Sequence, residues 1–144
     1  MSRIRDPVAR PMELDQNGLR QQLERIPGLD VEVGLSTTGG RLESLARLLK
    51  KYEASHGDDG PLLERHWASG DLASAHRVAH SARSAAGFLG LLGVQEKAAA
   101  LEAAFLDRFE AKDLVPLIAA FTRENEALCA AIRAACDPSG VPGS

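Results

Sequence analysis

Aromatic residues are scarce in this chain: four Phe, one Trp and one Tyr, 4% of its 144 residues. Sheets draw on aromatic and β-branched side chains, so this shortage, beside abundant Ala and Leu, argues for helices over strands. Cysteine is nearly absent too. Cys129 and Cys136 stand seven residues apart, about 10 Å along a helix, too far for a disulfide within it. With no CxxC or other metal-type spacing, they read as two small apolar residues in or near a core, their thiols reduced. No apolar run reaches the roughly 18 residues a membrane span needs, so no direct membrane insertion is expected. The opening MSRIRDPVARP is charged and broken by proline, unlike a signal peptide. These two absences point to a cytoplasmic protein. A strong excess of one charge is also lacking. The net charge of −3 speaks against nucleic-acid affinity, which needs a cationic face. The stripe Arg41, Arg47, Lys50 and Lys51 is interleaved with Glu43 and Glu53 and has no aromatic partners to stack on bases, so it reads as a solvated helix face.

What is present is 44% hydrophobic and 26% charged residues, the balance of an ordinary soluble domain with short flanks. Residues 1–11 read as a flexible linker, 12–136 as an all-α unit and 137–144 as a disordered tail. A leading helix is expected over 12–26, with Leu19, Leu23 and Ile26 on one face, followed by a short helical turn capped by Asp30 with Val33 inward. The first main helix begins near Gly40 and carries the stripe Leu42, Leu45, Leu49 and Tyr52. HGDDGP (56–61) interrupts it, with Asp58 or Asp59 as the cap and Pro61 in the restarted first turn. A second helix runs from about Asp71 to Ala86, with Leu72, Ala75, Ala79, Ala82 and Ala86 as a narrow seam, and Gly87 and Gly90 at its exit. A third spans roughly 91–110, with Val94, Ala98, Leu101, Phe105 and Phe109 inward. Ala111 to Asp113 turns the chain into a fourth, 113–135, with Leu117, Phe121, Leu128 and Ile132 inward. Short connections make sequential helices antiparallel, which predicts an up-down four-helix bundle with one or two short leading helices.

The chemically informative stretch surrounds His80. By the three-four rule its helix face is shared by Ala73, Arg77, Ser84 and Gly87. Three of these are small, so the imidazole should stand uncovered. Arg83 follows three residues later and His76 precedes it by four. A guanidinium beside the ring suits a phosphoryl oxygen, and imidazole is nucleophilic in its neutral form near neutral pH. Fixed position and nearby cations are what phosphoryl transfer asks of a protein. Phe88 reads as core filling at the helix exit.

The segment AHSARSAAGFLG (79–90), followed by an Ala-rich helix reaching Leu101-Glu102, resembles the histidine phosphotransfer (HPt) domains of bacterial phosphorelays. Their pattern runs near A-H-x-x-K-G-x-A-x-x-L-G. IPGLDVEVGL (26–35) is similar to the lead-in found before such domains at the C-terminal end of hybrid sensor kinases. The resemblance covers about residues 26–135 and departs from the pattern at Arg83 and Ser84, where lysine and glycine are usual. It implies His80 as phosphoacceptor, and the spacing around that residue adds Arg83 as the phosphoryl-stabilising residue and Arg77, Ser84, Gly87 and His76 as a docking face. The partner it implies is the receiver domain of a response regulator or hybrid kinase, which brings its own aspartate and Mg²⁺. The domain itself is expected to be monomeric, without cofactor, metal or intrinsic kinase activity. In agreement, GLSTTGGR (34–41) lacks the Lys-Ser/Thr pair and the preceding strand of a P-loop, and reads as a capping turn.

Two other readings compete. His76 and His80, four apart, suit two metal ligands on one helix face, yet HRVAH lacks the glutamate of HExxH and a convincing third ligand. The departures at Arg83 and Ser84 also fit a degenerate adaptor that binds a receiver without accepting phosphate.

Overall fold

A computed structural model describes residues 16–107 and 111–136. The expected linker, the start of the leading helix, Phe109 and the tail lie outside the described residues. The helices are α1 (16–24), α2 (Val31–Thr37), α3 (Leu42–His56), α4 (Asp59–Ala68), α5 (Leu72–Leu89), α6 (Leu92–Leu106) and α7 (Ala111–Cys136). There is no strand among the described residues, only an isolated antiparallel bridge between Leu29 and Leu91. α3 and α4 are two halves of one broken rod. α5 packs on α4 and α6, α6 on α7, and α7 on both α3 and α4, which closes the expected four-sided all-α bundle. α7 already includes Ala111–Asp113, which the sequence suggested as a turn; Leu114 and Ile118 face the core there, and Leu117 is only half-buried.

α5 is the best-defined helix at both ends. The Asp71 carboxylate accepts from the Ser74 N–H at 3.1 Å, satisfying one of the donors a helix start leaves open. Ala75, Ala79, Ala82 and Ala86 are fully buried, so the neighbouring helices approach closely along that seam. Leu72, expected in the same seam, is exposed. The helix also runs past Ala86 and Gly87 to Leu89. Gly90, at φ 81°, ends it, and the Leu91 N–H returns to the Ala86 carbonyl at 2.8 Å. An isolated glycine at position 87 weakens the helix but does not stop it, because its N–H still completes the ladder.

The leading segment clamps this corner. The Asp30 N–H donates to the Gly90 carbonyl (2.8 Å), the Leu92 N–H to the Gly28 carbonyl (2.7 Å), and the Thr37 hydroxyl to the Phe88 carbonyl. Asp30 caps α2 as expected, through the Val33 N–H. Val31 and Gly34 turn inward in place of Val33. Only glycine fits that inward position at 34, because a Cβ there would lie 2.6 Å from the Leu89 carbonyl oxygen.

At the α3–α4 break neither aspartate caps by its side chain. Asp58 holds the cap position without a side-chain hydrogen bond, while the Asp59 carboxylate meets Nδ1 of His56 at 2.7 Å. The break strands the His56 carbonyl. Nδ2 of buried Asn125 donates to it (2.8 Å), and the Tyr52 hydroxyl donates to Oδ1 of the same amide (2.7 Å). Buried polar groups need such partners. Cys129 and Cys136 are free and buried, as expected, and burial pushes both thiols up to about 11, away from reactivity.

Gly90→Ala tests the corner. A side chain there takes a left-handed conformation and would place its Cβ 2.5 Å from the Asp30 carbonyl oxygen. We expect a loss of about 2 kcal/mol or more in urea denaturation; unchanged stability would show the corner to be unconstrained.

Candidate functional site

α5 carries His80 at mid-helix with its side chain 59% exposed. Ala73, Arg77 and Ser84 are exposed around it, as the three-four rule predicts. Gly87 is half-buried, and a Cβ on it would meet the amide of Gln95 from α6 at 2.8 Å; it belongs to the α6 side, not the open face. His76 is likewise turned inward. Its ring lies nearly parallel to that of His80, centroids 6.2 Å apart, with Nε2 pointing toward α6. Helical rotation accounts for both corrections: positions four back and seven on sit slightly around the cylinder from His80, toward the packed flank.

Glu102 organises this flank. It reaches from α6 with its side chain only 12% exposed. Its Oε2 lies 2.6 Å from Nδ1 of His80, and NH1 of Arg83 donates to Oε1 at 2.7 Å. A carboxylate only accepts, so the proton between them belongs on Nδ1. The neutral ring then carries its lone pair on Nε2, the nitrogen that the carboxylate leaves free. The Arg83 guanidinium, and then the His80 ring, hold the Glu102 carboxyl below the usual glutamate range, so it is ionised at neutral pH. Arg83 commits one N–H to this carboxylate and has four more for another anion.

Sequence reasoning did not assign Glu102 a role. It was visible only as the end of the Leu101-Glu102 pair, 22 positions from His80, and its function depends on the α5–α6 register. Phe88 was read as core filling, but it is 50% exposed. The helix continues past Gly87, and that carries the side chain out to solvent. With Leu48, Lys51, Ser81, Ser84 and Ala85 it lines a groove of about 440 Å³ between α3 and α5, on the side of His80 away from Glu102. Among the described residues no three His, Cys, Asp or Glu side chains are placed to share a metal ion; the two histidines converge on one carboxylate.

The depressed Glu102 carboxyl makes a pH prediction. A group ionised more readily in the folded state stabilises above its unfolded value, here the ordinary 4.5, and that contribution disappears as pH falls through the lower folded value. Glu102→Gln should therefore melt below the parent at pH 6–7, with the gap narrowing as pH falls below 4.5 and on through the lower folded value. A gap independent of pH in thermal melts would mean that the ion pair with Arg83 does not couple to folding.

The family model of the Hpt domain matches residues 39–137, well over half of the 144-residue chain. No curated protein and no solved structure matches it. The matched stretch takes in α3 through α7, with His80, Arg83 and Glu102 inside it, while α1 and α2 lie ahead of it. An exposed helix-borne imidazole and a nearby guanidinium, on an all-α bundle that this model covers, have one family in common: the chain belongs to the Hpt domain family, the phosphotransfer domains of phosphorelays that interact with receiver domains.

Proposed function

We propose that His80 is the phosphoacceptor, taking a phosphoryl group from a receiver aspartate and passing it to another receiver. The observation that carries this reading is the Nδ1 contact to Glu102 at 2.6 Å beneath a ring that is otherwise open. The lone pair on Nε2 attacks phosphorus as the aspartyl P–O bond breaks and the carboxylate leaves. The ring gains positive charge, which the Glu102 carboxylate offsets through the Nδ1–H. Departure of the phosphoryl group to a second aspartate reverses these steps and returns a neutral imidazole with its proton still on Nδ1. The free N–H groups of Arg83 hold the phosphoryl oxygens, while Mg²⁺ and the aspartate come from the receiver.

The receiver docks over Arg77 and Ser84 and extends along the groove toward Phe88. Exposed apolar surface beside a polar reaction centre suits a protein partner. The similarity of residues 26–35 to hybrid-kinase lead-ins supports a place at the C-terminal end of such a kinase. A degenerate adaptor is the competing outcome, since Arg83 is turned onto Glu102.

Incubation with a phosphorylated receiver separates the two. We expect label on this chain that survives base, is lost in acid and is absent in His80→Gln; complex formation without label would identify an adaptor. Ser84→Trp, at an exposed position, should lower uptake from the receiver at least about tenfold, a loss worth about 1.4 kcal/mol of transition-state stabilisation, and leave the circular dichroism spectrum unchanged. Full transfer by that variant would move the docking surface elsewhere.

A further inference from the structure

Nε2 of His76 is the one buried side-chain polar atom among the described residues with no hydrogen-bond partner. Such atoms are few in folded proteins, and each has a cause. The acceptor it faces is Oε2 of Glu102, 3.7 Å away, the same oxygen that accepts from Nδ1 of His80 at 2.6 Å. The two rings are inclined by only 16°, so they approach the carboxylate side by side from the same helix. The longer gap exceeds an ordinary N–H···O bond by about 0.8 Å. The last torsions of both side chains are sp³–sp² and soft, so a turn about either can shorten it. A nitrogen facing an ionised carboxylate is best placed with its proton on, and an oxygen with two lone pairs can accept from both rings.

Arg83 divides its donors between Glu102 and the phosphoryl group during the reaction. Its side chain is 49% exposed, and its guanidinium is the group that an arriving phosphoryl dianion attracts. His76 is 29% exposed, and its Nε2 has no other partner to turn to. We infer that His76 is a positioning residue, whose Nε2–H donates to Oε2 of Glu102 and keeps that carboxylate aligned with Nδ1 of His80 while the ring carries phosphate. The inference rests on His80 as the phosphoacceptor, and it replaces the docking role that spacing alone suggested for His76.

The test uses the full chain, its His76→Leu, His76→Gln and His76→Asn variants, and phosphoramidate as donor. As the bond from Nε2 of His80 to phosphorus forms, the donor's N–P bond breaks and ammonia leaves. Phosphohistidine formation is followed over time. The tautomer of the unphosphorylated His80 ring is read at one pH from its ¹⁵N shifts, and folding from the melting curve. We expect His76→Leu to fold, to shift the His80 ring away from the Nδ1–H tautomer, and to slow uptake about fivefold. Gln extends an amide N–H far enough to reach the carboxylate and should restore both readings. Asn, one carbon shorter, should not. Parent-like tautomer and rate in His76→Leu would overturn the inference, as would equal behaviour of the Gln and Asn variants. If His76→Leu does not fold, the Gln–Asn comparison decides. If the parent takes up no phosphate, the reading of His80 fails, and the tautomer comparison still judges His76.

Discussion

One carboxylate, that of Glu102, determines which edge of His80 is chemically available. An imidazole offers two nitrogens, and in water the proton moves between them. Here Nδ1 is engaged by an ionised group reaching across from α6, so the free electron pair lies on the other edge. That arrangement needs α5 and α6 held close and in a fixed register. Closeness comes from the alanine seam, since a methyl at Ala79 or Ala82 leaves room for the opposing helix where a leucine would push it away. Register comes from the tight corner at Gly90-Leu91, whose hydrogen bonds fix the point from which α6 sets out.

The arginine at position 83 makes sense in the same frame. An ammonium presents its donors from one point, so it meets one anion well. A guanidinium is a flat fork with donors on two edges. Bound to Oε1 of Glu102 by NH1, Arg83 keeps the donors on Nε and NH2 for a second anion. Where the family pattern has lysine, this chain has a side chain able to bridge the organising carboxylate and an incoming phosphate together.

Much of this was legible in the sequence, for reasons that can be named. Helical periodicity placed Leu45, Leu49, Tyr52, Val94, Ala98, Leu101, Phe121 and Ile132 in the core, because one amphipathic helix carries its own phase. Caps with a local partner, such as Asp30 over Val33, were equally visible. The exposure of His80 followed from small residues on its helix face, Ser84 four residues away and Ala73 seven. What was hidden depends on a second helix. Glu102 acquires a role only when α6 lies beside α5. Gly87 and His76 turn out to lean toward that helix, each half-buried against it. Asp58 or Asp59 was expected to cap the restarted helix; Asp58 takes the cap position without a side-chain bond, Asp59 pairs with His56, and the carbonyl left by the break is taken by Asn125 from α7, a partner nearly 70 residues away in sequence. The end of α5 was placed too early because a glycine was read as a stop, and that error also hid Phe88 in the core.

The bridge between Leu29 and Leu91 has a mechanical side. Residues 28 and 30 are bonded to the two sides of the α5–α6 corner, so this strip works like a pin through a hinge. Force that the backbone carries into this strip passes to the end of the helix bearing His80 before it runs on into α3. Along the backbone the order is the reverse, since α3 comes first. A twist of the strip itself would be felt as a change in the angle between the two helices that share Glu102.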